Sequence, residues 1–354
     1  MTETRFPASG LSAEYGDIVI SDVLAEAAVS VTCAGTVILS EKYTPDSNDQ
    51  ITISNIGELA MLYFEPGDML TATGEDADPV VLTVEIVSAT TITKAVTIYP
   101  SVIDFSGTLD VTLLKQIPLS RATKKNTAPG RKEYIGFYGG ATVVVYAVYK
   151  GETVDVAVTE NLVVLASAAK IYTVDVSPAV IAALINQPVA KLVYYNVYTS
   201  TDSIIRYMVS GRNWQFEKTF SFRNCFGAQE TFTCTGDEVD ERKWTREFGN
   251  FNARKIDYSR EMENAIQINT GYITAKDVEV LEDLLNSDDV CVIDEAGLQK
   301  VTILEENFSD SSRKDDVKSV SFTYRYAQMN QFKSTYAAFK KPRVFTPEFD
   351  TSFE

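Results

Sequence analysis

Residues 80–100 read VVLTVEIVSATTITKAVTIYP. Apolar and polar side chains alternate along the stretch, the period-two signature of strands with one face in a core. The same alternation runs through DIVISDV (17–23), VSVTCAGTVILSEKY (29–43) and QITISNI (50–56), and SGTLDVTLLK (106–115) continues it. Between two of these runs, TPDSND (44–49) supplies the Pro, Asp, Ser and Asn chemistry of a turn. A short helix is expected in NIGELAMLYF (55–64), ending before Pro66-Gly67. Residues 1–116 therefore read as a β-sandwich-like domain.

A second β series follows in TVVVYAVYKGETVDVAV (142–158), NLVVLASAAKIYTVDVSP (161–178) and KLVYYNVYTSTDSIIRYMVS (191–210). Tyr194, Tyr195 and Tyr198 suit a pleated, half-buried surface. AVIAALIN (179–186) predicts a short helix with Pro178 in its first turn, where the missing N–H costs nothing. Residues 134–213 read as a second β-sandwich-like domain.

From Trp214 the pattern changes. TAKDVEVLEDLLNS (274–287) opens on Thr274 and Asp277 in capping-box spacing, with Ile273 and Val278 placed as a hydrophobic staple. Val278, Leu281, Leu284 and Leu285 share one helical face. Strand patterns flank it in AIQINTG (265–271), VCVID (290–294), KVTILEEN (300–307) and VKSVSFTYRYA (317–327). One amphipathic helix on a mainly antiparallel sheet is an α+β domain, here over 214–330. The expected fold class is mainly β: two consecutive β-sandwich-like domains, then the α+β domain, then an extended C-terminal arm over 331–354.

Composition narrows the function. The 354 residues hold 32 Lys and Arg against 49 Asp and Glu, a formal net charge of −17. Such acidity repels phosphate backbones, so no direct nucleic-acid binding is expected. It also keeps an abundant subunit in solution before it assembles. No run nears the roughly 20 apolar residues of a membrane helix, so no membrane insertion is expected. MTETRFPASGLSAEYGD (1–17) has no apolar h-region, which predicts synthesis in the cytoplasm without a signal peptide.

The chain has no histidine. That removes the commonest general base and catalytic zinc ligand, and with them any Ser-His-Asp or Cys-His arrangement. Phosphate-cradling glycine loops and HExxH are missing too. Cys33, Cys225, Cys234 and Cys291 form no CxxC knuckle and are too scattered for a disulfide scaffold. Acidic pairs (Asp237/Glu238, Glu282/Asp283, Asp288/Asp289, Asp294/Glu295, Glu305/Glu306) lack EF-hand spacing and read as solvated surface. Neither enzymatic activity nor a cofactor or metal is expected.

FRNCFGAQETFTCTG (222–236) looks most like chemistry. If FGAQ turns a hairpin, Cys225 lies opposite Glu230 and Cys234 pairs near Ser221. The sulfurs are then about four residues out of register, roughly 13 Å at about 3.3 Å per residue, too far for a disulfide. Phe232 and Cys234 share one strand face and Thr231, Thr233 and Thr235 the other, so Cys234 reads as a small buried apolar residue.

Two segments are candidates for contacts between molecules. IPLSRATKKNTAPGRKE (117–133) concentrates Arg121, Lys124, Lys125, Arg131 and Lys132, either a basic patch for a neighbour's acidic face or a solvated linker. QFKSTYAAFKKPRVFTPEFDTSFE (331–354) keeps Phe339, Phe345, Phe349 and Phe353 without periodicity. Disordered tails are normally poor in aromatics, so these read as anchors of an arm that orders against another surface, or else as a frayed terminus.

The third region, from RNCFGAQETFTCTG through WTREFGNFNARKIDYSREMENAIQINTGYITAKDVEVLEDLLNSDDVCVIDEAGLQKVTILEENFSDSS to VSFTYRYAQMN, resembles proteins of tail modules in phages and prophages of Bacteroides-type bacteria. GTVILSEKYTPDSNDQITISNIGELAMLYF (35–64) and GRKEYIGFYGG (130–140) are similar to the opening and middle segments of those proteins. The resemblance implies a virion structural subunit of the distal tail or baseplate, with copies of itself in a ring and other virion tail proteins as partners. It supplies no catalytic residue. A tail tube or head–tail connector protein belongs to the same class. A different class, a carbohydrate-binding or adhesin module, would stack sugars on Trp214, Trp244 and the tyrosines near 194–198, which otherwise belong to the core. A carboxylate-based glycan hydrolase is the remaining reading.

Overall fold

The structure is a computed structural model that describes residues 1–102, 114–166, 170–212, 214, 216–251, 254–295, 297–307 and 318–327; at Glu14 and over 241–264 and 305–307 it describes the backbone alone. It is mainly β, with several antiparallel sheets and three α-helices among the described residues. SGTLDVTLLK, apart from its last two residues, and the arm with Phe339, Phe345, Phe349 and Phe353 lie outside them.

The N-terminal strands are β1 (Thr2–Arg5), β2 (Ser9–Leu11), β3 (Ile18–Ser21), β4 (Ala27–Cys33), β5 (Thr36–Tyr43), β6 (Ile51–Ile53), β7 (Gly74–Ala77), β8 (Val80–Val87) and β9 (Thr91–Tyr99), with helix α1 at Ile56–Met61. They form one sheet in the order β1-β3-β6 and another in the order β2-β9-β8-β4-β5. The opening stretch behaves as its alternation demands: in β8, Val80, Leu82, Val84 and Ile86 are buried while the residues between them are exposed. They meet Ile18, Ile20, Val29, Val31, Ile51 and Ile53 in one core. The run 29–43 is two strands, not one. Ala34 and Gly35 both take positive φ (48° and 84°), the backbone of a tight two-residue hairpin turn, so β4 and β5 pair antiparallel.

The middle strands are β10 (Lys124–Thr127), β11 (Tyr134–Tyr138), β12 (Thr142–Lys150), β13 (Asp155–Val164), β14 (Ile171–Asp175), β15 (Leu192–Ser200) and β16 (Ser203–Val209), with helix α2 at Pro178–Leu184. One sheet runs β10-β16-β15-β12-β13 and the other β11-β14-β7. Two features depart from the sequence reading. The stretch read as a basic linker contributes β10, which pairs parallel with β16 from Lys124 opposite Arg206 to Thr127 opposite Val209. And β7 leaves the N-terminal unit to pair with β14, Ile171 opposite Ala77. Polar GEDA (74–77) has no strand periodicity; its partner, a strand far along the chain, makes it one.

The last strands are β17 (Lys218–Arg223), β18 (Gln229–Cys234), β19 (Glu238–Phe251), β20 (Arg254–Asn269), β21 (Val290–Asp294), β22 (Gly297–Asn307) and β23 (Ser321–Tyr326), with helix α3 at Ala275–Leu285. They form one seven-stranded sheet, β18-β17-β21-β22-β23-β20-β19. Helix α3 begins with the expected capping box: Thr274 Oγ1 accepts from Asp277 N at 3.4 Å and Asp277 Oδ2 accepts from Thr274 N at 2.8 Å. Val278, Leu281 and Leu284 bury against Phe220, Phe222, Phe322 and Tyr324, and Ile273 joins Val278 in the same core.

Candidate functional site

The FRNCFGAQETFTCTG hairpin is where the three units meet. Its turn is wider than the sequence reading had it. Arg223 pairs with Gln229, Phe222 with Glu230 and Lys218 with Cys234. Residues 224–228 form the turn, closed by Asn224 N donating to Ala228 O at 2.9 Å. Cys225 thus sits in the turn and Cys234 pairs with Lys218 rather than near Ser221. Asn224 explains the wider turn: its Oδ1 accepts from Phe226 N (3.1 Å) and Ala228 N (3.2 Å), holding a five-residue loop that FGAQ alone could not specify. From Lys218 to Arg223 is about 17 Å at about 3.3 Å per residue. Both cysteines are free and buried, and burial pushes both thiols well above the ordinary range, so neither is a ready nucleophile.

Strand alternation gives β17 two buried faces. Phe220 and Phe222 enter the core beneath α3, whereas Ser221 and Arg223 turn toward the other two units. The same rule splits β11. Ile135 and Phe137 enter the middle core, and Tyr134, Gly136 and Tyr138 face the hairpin. Gly136 is required there, because a Cβ would run into the methyl of Ala228. Gly227, at φ 69°, is required twice over, since a Cβ would also stand 2.8 Å from the Phe64 ring. Cys225, Phe226 and Ala228 fill a small core shared with Leu11, Tyr99 and Tyr138.

Polar ties surround that apolar plug. Arg223 pairs with the buried Asp76 of β7 and donates to Gly67 O. Asp76 Oδ2 also accepts from Thr173 Oγ1 of β14 at 2.8 Å, so one carboxylate joins all three units. The Gln229 amide reads the backbone of Leu70 in both directions, accepting from its N at 2.7 Å and donating to its O at 2.8 Å.

The basic residues of 117–133 are ties of the same kind. Lys125 Nζ lies 2.6 Å from Glu230 Oε1 and donates to Thr231 O at 2.9 Å. Glu230 is completely buried; Ser120 Oγ (2.6 Å) and Asn224 Nδ2 (2.7 Å) also donate to it. Arg131 grips Glu217 with two bonds, Nη2 to Oε1 at 2.8 Å and Nε to Oε2 at 3.2 Å. Arg121 reaches Glu282 and Asp283 of α3, each at 3.3 Å, and Lys132 stands 3.5 Å from Asp175. Lys124 is exposed. Four of the five cations are therefore engaged within the chain, and Glu282/Asp283, read as solvated surface, hold one of them.

Burial pushes the Glu133 carboxyl above the usual range, against the pull of Lys125 and of the Thr231 hydroxyl that donates to it at 2.8 Å. Asp283 is also raised, by burial first and by the charge of Glu230 second. These carboxyls lie in the joint, where Asp283 accepts from Arg121 Nη1 and from Cys225 N.

A cleft of about 280 Å³ opens beside this joint. Lys125, Arg131, Glu133, Thr231, Trp214 and Tyr272 line it, with Trp214 40% and Tyr272 85% exposed. Its size is at the floor of the range for small-molecule sites. Tyr195, one of the tyrosines considered for sugar stacking, is fully buried against Tyr207, while Tyr194 lies under the Arg206 guanidinium. The side chain of Trp244 lies outside the described residues. Among the described residues, no group of three or more Cys, Asp or Glu side chains is placed to hold a metal ion, and no helix is long and apolar enough to cross a membrane. Compared with known proteins, the chain matches no family profile and no curated protein.

Proposed function

We propose that the protein is a structural subunit of a tailed-phage virion, a ring-forming distal tail, baseplate or other tail-associated protein that acts by self-assembly and docking rather than catalysis. The observation that carries this reading is how the buried charges are used. The buried pairs Asp76–Arg223 and Lys125–Glu230 each tie segments distant in sequence, the half-open Arg131–Glu217 pair adds a third tie, and together they weld three β units around one hairpin. Buried pairs of this kind add little net stability but penalise any other arrangement of the units. A body of fixed shape is what a repeating assembly requires. The resemblance of the quoted segments to tail-module proteins supports the same reading. Copies related head to tail would close into a ring.

Gold-labelled antibody against the protein, applied to phage particles from a producing host, tests this. Label confined to one level of the tail is expected. Unlabelled particles beside abundant free protein would overturn the reading, and label at the head–tail junction would move the subunit to a connector. The cleft flanked by exposed Trp214 and Tyr272 favours one second reading, a glycan-binding module. An array of bacterial surface glycans with no binding would remove it.

A further inference from the structure

The seven-stranded sheet ends in a ribbon that it does not support. Strand β20 pairs with β23 only over Ile266–Asn269, while β19 and β20 continue to pair from Glu238 opposite Ile268 out to Phe251 opposite Arg254. Beyond Ile266, across 241–251 and 254–265, each strand has only the other as a partner among the described residues. Eleven residues at about 3.4 Å each carry the ribbon about 35 Å past the sheet. Two strands alone are marginally stable in water, and a long edge strand is an open template for another chain.

The charge of the ribbon is opposite to that of the chain. Residues 241–251 and 254–265 hold six Lys or Arg (Arg242, Lys243, Arg246, Arg254, Lys255, Arg260) against five acidic residues, and from the Arg246–Arg260 pair outward the balance is four to two. Residues 1–99 hold fifteen Asp or Glu and three Lys or Arg. The strands also carry Trp244, opposite Met262 in register, and Phe248 and Tyr258, side-chain types that dominate interface energetics. We infer that the β19–β20 ribbon is the arm by which one copy docks on the acidic N-terminal unit of the next copy. The contact joins two different surfaces, so it is heterologous and propagates around a ring. This deepens the proposed function and rests on it. A nucleic acid is the poorer occupant, because the rest of the chain, with 26 basic and 44 acidic residues, repels a phosphate backbone.

The test uses the full chain and two variants. In one, residues 242–264 are replaced by an Asn-Gly turn joining Glu241 to Ala265; in the other, Arg246→Glu, Arg254→Glu, Lys255→Glu and Arg260→Glu are combined and the ribbon is kept. Light scattering and negative-stain microscopy read assembly over a concentration series at low and at about 1 M salt, where screening falls to about 3 Å. The intact protein should assemble and weaken with salt. Both variants should melt at the temperature of the intact monomer yet need at least about tenfold higher concentration to assemble. Carbodiimide coupling of mixed isotope-labelled copies should link Lys243 and Lys255 of one copy to acidic residues within 1–99 of another. Should the shortened chain not fold, the charge-reversed chain decides.

Normal assembly of a folded variant overturns the ribbon inference and leaves the virion reading standing. An intact protein that stays monomeric overturns it whatever the antibody labelling shows. Micromolar binding to a labelled DNA duplex, lost in the charge-reversed chain, also overturns it, and makes the ribbon a nucleic-acid contact.

Discussion

Replacing Lys125 with methionine keeps most of the side-chain volume and removes the one cation that lies 2.6 Å from the completely buried Glu230. Ser120 and Asn224 still donate to the carboxylate, but two neutral donors do not replace a charge taken out of water. Removing one partner of a buried pair costs about 3–5 kcal/mol, and Lys125→Met should cost that much. Glu230→Gln should cost somewhat less, because the ammonium keeps the Thr231 carbonyl and its attraction to Glu133. The double variant leaves neither member of this pair charged, and replacing both ions together is often close to neutral. Its loss should therefore fall short of the sum of the two single losses by about 2–4 kcal/mol.

Urea unfolding of all four proteins measures this. Tryptophan fluorescence is the readout, since Trp214 lines the cleft beside the joint together with Lys125. A shift of the midpoint at constant slope reports stability alone. A Lys125→Met protein within about 1 kcal/mol of the parent, or two losses that simply add, would show that the buried pair is not coupled in this way.

Other consequences follow from the same joint. Gly227→Ala should cost about 2–4 kcal/mol, since it imposes a left-handed backbone on an L residue and crowds Phe64 and Pro100; chemical unfolding checks this. Asp76→Asn leaves Arg223 without its buried carboxylate, so amide exchange over 67–77 should accelerate while exchange in β8 and β9 stays slow. Glu133 has a folded pKa raised by burial, so the native state holds its proton more tightly than the unfolded chain does. The stability from that proton is complete below the unfolded pKa and is lost as pH rises through the folded one. The melting temperature of Glu133→Gln relative to the parent should therefore be more favourable at pH 7.5 than at pH 4. Under native conditions a thiol reagent should modify the partly exposed Cys33 first, and Cys225 and Cys234 only as the chain unfolds.

Local structure was legible in the sequence wherever one physical period dominated. The alternation of 80–87 specified a half-buried strand, and Thr274 with Asp277 specified the start of α3, because both signals are complete within a few residues. What lay outside local reach was pairing between distant segments. Nothing in GEDA announces a strand, since β7 exists by virtue of β14, almost a hundred residues away. The basic residues of 117–133 were visible as a cluster, but their partners Glu230, Glu217, Asp283 and Asp175 are scattered over the chain. Composition could show that the cations needed acids, and only the fold could show which. The turn at 224–228 was misjudged for a local reason: the Asn224 side chain, rather than the glycine, sets its width.

The most direct test of the account is the mass and shape of the purified full-length protein, by light scattering and electron microscopy across a concentration series. The account predicts a closed ring of several copies that loosens as salt is raised. A particle of 39.1 kDa, the mass of one chain, at every concentration and ionic strength would contradict it.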